Sequence, residues 1–74
     1  MKIDVPDHAK FRIMERGIDV DNAKIVVRKP SLKKIGNDGK IRVTGTLKDG
    51  RVLTIIYVEK TKSQIVIVTG YYES

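Results

Sequence analysis

Cysteine and tryptophan are absent from this 74-residue chain, histidine and phenylalanine occur once each, and proline twice. Without cysteine there is neither a disulfide framework nor a thiolate zinc site, and the single imidazole of His8 leaves little for any other metal. Acidic residues are also scarce, 9 Asp and Glu against 15 Lys and Arg, for a net charge of +6. No apolar run approaches the ~20 residues of a membrane span, and no basic start leads into an apolar leader. A cytoplasmic protein with no membrane contact is therefore expected, in keeping with a cysteine-free chain. Repeats and low-complexity tracts are missing too, so residues 1–74 are read as one domain, small enough to bury only about 60% of its unfolded surface. The positive excess favours a polyanionic partner, because phosphate is attracted over distances set by salt screening.

Two helices are expected first. Asp7 is placed to cap a helix over about His8 to Arg16, with Gly17 as the left-handed residue that ends it. Phe11 and Met14 are three apart and share a face, Ile18 extends that contact, and Ile13 lies well round the helix. Asp19 caps a second helix, on which Val20, Ala23, Val26 and Val27 form an apolar stripe and which Pro30 stops.

After Pro30 the chain reads as strands and turns. Ser31 to Ile35 is a short candidate strand, followed by the turn Gly36-Asn37-Asp38-Gly39. From Lys40 to Leu47 the residues alternate, with Arg42, Thr44 and Thr46 on the polar side. Lys48-Asp49-Gly50 connects into Arg51 to Glu59, which is apolar on both faces and so belongs in the sheet centre, and Gln64 to Tyr72 supplies a last strand. The expected fold is α+β: two N-terminal helices packed on an antiparallel sheet of three or four strands, with Phe11, Met14, Val26, Val27, Leu53 and Ile55 in the core. The opposite face of the sheet is left partly open for a ligand.

His8, Arg12 and Arg16 are spaced i, i+4, i+8, a slowly drifting stripe on the first helix. Like charges at this spacing repel, so a phosphate or a set of carboxylates such as Glu15 must neutralise them. The helix N-terminus and the two guanidiniums disfavour the imidazolium. A neutral imidazole is what a general base needs to take the 2′-OH proton of RNA, and arginine would stabilise the charge that builds on phosphorus. The same histidine also reads as an ordinary surface residue. On the sheet, Arg42 heads a polar row, and Thr69, Tyr71 and Tyr72 lie at the end of the last strand, where tyrosine can stack on a base, donate a proton or merely cover the core edge. Lys33 and Lys34 read as solvated charge or a phosphate track. Tyr57 is read as core.

Other constellations are weak. Gly36 to Gly39 lacks the Lys-Ser/Thr of a P-loop, Asp4, Asp7, Asp19 and Asp21 form no ligand pattern, and no Ser or Cys sits beside His8 in a nucleophile motif. No metal and no cofactor is expected.

The run His8-Ala9-Lys10-Phe11-Arg12-Ile13-Met14-Glu15-Arg16-Gly17-Ile18 resembles the signature His-Ala-x-x-Arg-Met-x-x-Arg-Gly-Ile of a bacterial family of unknown function, with Ile13 standing between Arg12 and Met14. The likeness continues through Asp19 to Pro30, the Arg42 strand, the Asp49-Gly50 hairpin and Val66 to Tyr71. That family is placed with the RelE/ParE-like and BrnT-like toxins, small metal-independent endoribonucleases or related toxins. The resemblance implies a RelE-like fold, RNA as substrate, an antitoxin protein as a possible partner, and a cleft formed by His8, Arg12 or Arg16, Arg42, Thr69 and Tyr71.

Two functions lead, with a third reading behind them. One is a metal-independent endoribonuclease of the toxin type, cutting by 2′-OH attack with His8, Arg12, Arg16, Arg42, Thr69 and Tyr71 as its catalytic set. The other is a non-catalytic basic module that holds nucleic acid or an acidic protein through Arg12, Arg16, Arg42, Lys33 and Lys34. A small interaction protein whose charge serves solubility is the third reading.

Overall fold

The computed structural model describes residues 1–73. Its elements are β1 (Lys2–Asp4), α1 (Asp7–Glu15), α2 (Val20–Arg28), β2 (Leu32–Ile35), β3 (Lys40–Thr46), β4 (Val52–Thr61) and β5 (Gln64–Tyr72). The strands make one sheet in the order β1-β5-β4-β3-β2, antiparallel except where β1 runs parallel to β5. The fold is α+β, two N-terminal helices on a five-stranded, mostly antiparallel sheet. The strand count exceeds the expectation by β1, three residues too few and too polar to announce themselves, which pair Lys2, Ile3 and Asp4 with Gln64, Ile65 and Val66.

β4 lies in the sheet centre, as its two apolar faces require. Leu53, Ile55 and Tyr57 point to the helices with Ile41 and Val43 of β3 and Ile65 and Ile67 of β5, and all are buried. A bulge keeps β5 in phase: Ile67 pairs with Tyr57 while Thr69 pairs with Ile56, so Val68 is the extra residue. Without it Ile67 and Gly70 would face opposite sides. With it both face the helices, and Thr69 comes to the other face beside Ile56.

α2 follows expectation. The Asp19 carboxylate accepts from the Asp21 N–H at 2.8 Å, and Ala23, Val26 and Val27 are buried. Close seating depends on Gly45, where a Cβ would stand 3.3 Å from Val26 Cγ2.

α1 departs from expectation in two respects. Its N-cap is Pro6 with no side-chain cap, so Asp7 is the first helical residue, where its charge favours the positive helix end. The buried stripe is Ala9 and Ile13 (i, i+4), continued by Ile18, whereas Phe11 and Met14 are 64% and 58% exposed. The expected core positions Phe11 and Met14 are therefore corrected. Gly70, having no side chain, leaves room for Ile13, which joins the core cluster with Ile55, and Ala9 is fully buried one turn earlier. Gly17, at φ +74°, then reverses the chain into α2.

Candidate nucleic-acid interface

The phase of α1 decides which basic residue reaches the sheet. At about 100° per residue, Arg16 lies beside the Ala9/Ile13 stripe, Arg12 about 40° further out and His8 about 80°. Arg16 accordingly reaches β5: its Nη1 donates to the Gly70 carbonyl at 2.8 Å and to Thr69 Oγ1 at 3.2 Å. β1 pairs with β5 only as far as Val66, so Arg16 satisfies a carbonyl on the stretch that has no second strand neighbour. Arg12 and His8 are exposed. The ion pairs among the described residues are Lys40 with Asp38 and Arg51 with Asp49, so Glu15 does not neutralise the α1 cations.

The face of the sheet turned away from the helices carries a second constellation. Lys34 of β2 stands opposite Arg42 of β3, Arg42 opposite Ile56 of β4, and Ile56 opposite Thr69 of β5. Because Cα partners share a face, these residues form one row, at whose far end sits the Arg16 guanidinium. Adjacent strands are about 4.8 Å apart, so Lys34 and Thr69 are separated by about 14 Å. Lys40, two residues before Arg42, is on the same face. Lys34, Lys40, Arg42 and Ile56 line a cleft of about 570 Å³ that the Gly36 to Asp38 turn walls at one end. Lys34 and Arg42 are like charges directly opposed across a strand pair, an arrangement that costs stability, and neither has an ion-pair partner among the described residues. Lys40 is 3.9 Å from Asp38, both more than half exposed.

The next row is Leu32, Thr44, Thr54 and Tyr71. Thr54, fully buried although no helix covers this side, donates to Glu73 Oε1 at 2.7 Å and lies 3.1 Å from Thr44 Oγ1. A hydroxyl has one proton, so Thr54 spends it on the carboxylate and must accept from Thr44. This directed chain fastens the end of the described backbone across the sheet and leaves Tyr71, half-buried, beside it. On the helix side Tyr72 Oη donates to the Gly17 carbonyl at 3.2 Å, and Arg51 stacks 4.4 Å over the Tyr72 ring.

The structure thus brings Arg16 together with Thr69, and aligns Arg42 and Lys34 with both. It does not bring His8 or Arg12 to Arg42: α1 is on the helix side, and His8 is about 12 Å along the helix from Arg16, eight residues at ~1.5 Å each. Lys33 pairs with Val43 and so faces away from the cleft. Lys40, Ile56 and Glu73 belong to the open face without having been singled out in the sequence. Lys40 could have been found by alternation from Arg42, while the Glu73 contact spans the chain from Thr54 and left no local signal. Among the described residues no three His, Cys, Asp or Glu side chains group to hold a metal, and no helix is long and apolar enough to cross a membrane. Comparison with family models, curated proteins and solved structures returns no match.

Proposed function

We propose that this protein binds RNA through the open face of its sheet, with Lys34, Arg42 and Lys40 on the phosphates and Ile56 and Tyr71 against unpaired bases. The observation that carries the reading is the opposition of Lys34 and Arg42 at the cleft, neither of which forms an ion pair among the described residues. A phosphate between them relieves the repulsion and takes charge-assisted hydrogen bonds from both. A flat strand surface with a tyrosine and apolar side chains suits splayed bases better than a duplex, which hides their faces. The likeness of His8 to Ile18 to the toxin-linked family supports RNA over other polyanions; the antitoxin it implies would have to cover this same face.

RNA cleavage is the second reading, favoured by the meeting of Arg16 with Thr69. In it the 2′-oxygen attacks the adjacent phosphorus, the bond to the 5′-oxygen breaks, His8 takes the 2′ proton, and the leaving oxygen takes one from solvent. The products are a 2′,3′-cyclic phosphate and a 5′-hydroxyl. His8 can serve only a phosphate held on the α1 side of Arg16, given its place on the helix.

Incubating labelled single-stranded RNA with the protein in EDTA tests both readings. Retention of intact RNA that weakens in Arg42→Ala supports the binding module. Cleavage that stops with deoxyribose at the scission site and in His8→Ala supports the nuclease. RNA neither bound nor cut at low salt removes both.

A further inference from the structure

The helix side of the molecule has its own concavity, between the C-terminal half of α2 and the turn joining β3 to β4, enclosing about 380 Å³. Its floor is apolar. Val26 lies against Gly45, Leu47 is partly buried against the core, and Ile25 is 53% exposed at the mouth, where an isoleucine gains nothing from water. Its rim is positive. Lys29 and Lys48 are exposed with no ion-pair partner among the described residues. The nearby Asp49 is already occupied, its Oδ2 accepting from Arg51 Nε at 2.7 Å and its Oδ1 from the Arg51 N–H at 3.0 Å. An apolar floor between two unpaired ammonium groups differs in kind from the open face, where cations stand opposed.

We propose that this groove docks an acidic peptide segment of a partner protein, which seats one large apolar side chain on Ile25, Val26 and Leu47 and sets flanking carboxylates against Lys29 and Lys48. Charge complementarity selects the partner. A second copy of this chain, at net charge +6, would bring like charge to the rim, and a phosphate backbone would leave the apolar floor unused. The groove and the open face lie on opposite sides of the sheet, so the two ligands do not exclude one another.

The test is titration of the isotope-labelled full chain, followed by amide NMR, with a capped peptide of alternating glutamate and leucine pairs, and with its lysine-leucine counterpart. Saturable shifts centred on Ile25, Lys29, Leu47 and Lys48 are expected with the acidic peptide and not with the basic one. The doubly reversed variant Lys29→Glu, Lys48→Glu should weaken the acidic peptide about tenfold or more. Ile25→Ser, at an exposed position that leaves the core intact and the charge unchanged, should weaken it too without altering RNA affinity. Shifts confined to Arg42 and Ile56, equal response to both peptides, or no response at millimolar peptide would overturn the proposal. Loss of RNA binding with the groove response intact would instead count against the open-face reading alone.

Discussion

Lys34 and Arg42 face each other across the β2 and β3 pair, and neither forms an ion pair among the described residues. A sheet arranged for stability alone would place opposite charges there, since cross-strand pairs of opposite sign stabilise and like pairs do the reverse. Replacing Lys34 by Glu should therefore raise the stability of the free protein by roughly 0.2–1 kcal/mol while weakening its hold on RNA. Urea unfolding and RNA-binding anisotropy on the same variant check the two signs; a variant that loses both stability and binding speaks for a structural role.

The α1 phase is open to a direct mutational test. Ile13→Ala should cost about 2–5 kcal/mol, because it empties a fully buried site between helix and sheet. Phe11→Ser and Met14→Lys, at exposed positions, should stay within about 0.5 kcal/mol. Thermal unfolding followed by circular dichroism separates these outcomes.

These residues also mark how far the sequence could be read. Two-faced apolarity placed β4 in the centre, and the stripe Val20, Ala23, Val26 and Val27 oriented α2, because each is a repeated local signal. In α1 the two largest apolar side chains lie outside, and the burial signal rests on Ala9 and Ile13, one of which is too small to weigh in a hydropathy pattern. β1 is held by parallel pairing with β5, a contact more than sixty residues distant in sequence. The candidate site divides in the same way. Arg42 and Lys34 were visible as charges, but their opposition depends on a register that local composition does not encode, and Arg16 meets Thr69 across 53 residues.

Gly70 is tightly packed. A Cβ there would lie 2.6 Å from Ile55 Cδ1 and 3.3 Å from the Thr54 carbonyl, beneath Ile13. Gly70→Ala should destabilise by about 1–3 kcal/mol. It should also displace the carbonyl that Arg16 holds, so exchange of the Arg16 guanidinium protons, read by NMR, should quicken alongside the fall in melting temperature.

Acid should loosen the β3 to β4 hairpin. The Arg51 backbone N–H and guanidinium hold the Asp49 carboxyl below its ordinary value. A lowered folded-state value means that this contact stabilises the fold above the ordinary aspartate range of about 3.9 and is lost as pH falls through and below it. Between pH 5 and pH 2, Asp49→Asn should show a shallower decline in unfolding midpoint than the unmodified protein. Equal slopes would remove Asp49 from the acid response.

If Lys34 and Arg42 hold a phosphate of RNA between them, the salt dependence of affinity for a single-stranded RNA reports it. For the unmodified protein, the logarithm of the association constant should fall linearly with the logarithm of salt concentration. Lys34→Ala and Arg42→Ala should each weaken binding, and the two together should flatten that line by about 0.7, the counterion release of the one phosphate they share on a single strand, with little change in the unfolding midpoint. A slope and affinity in the double variant indistinguishable from those of the unmodified protein would show that neither side chain holds a phosphate.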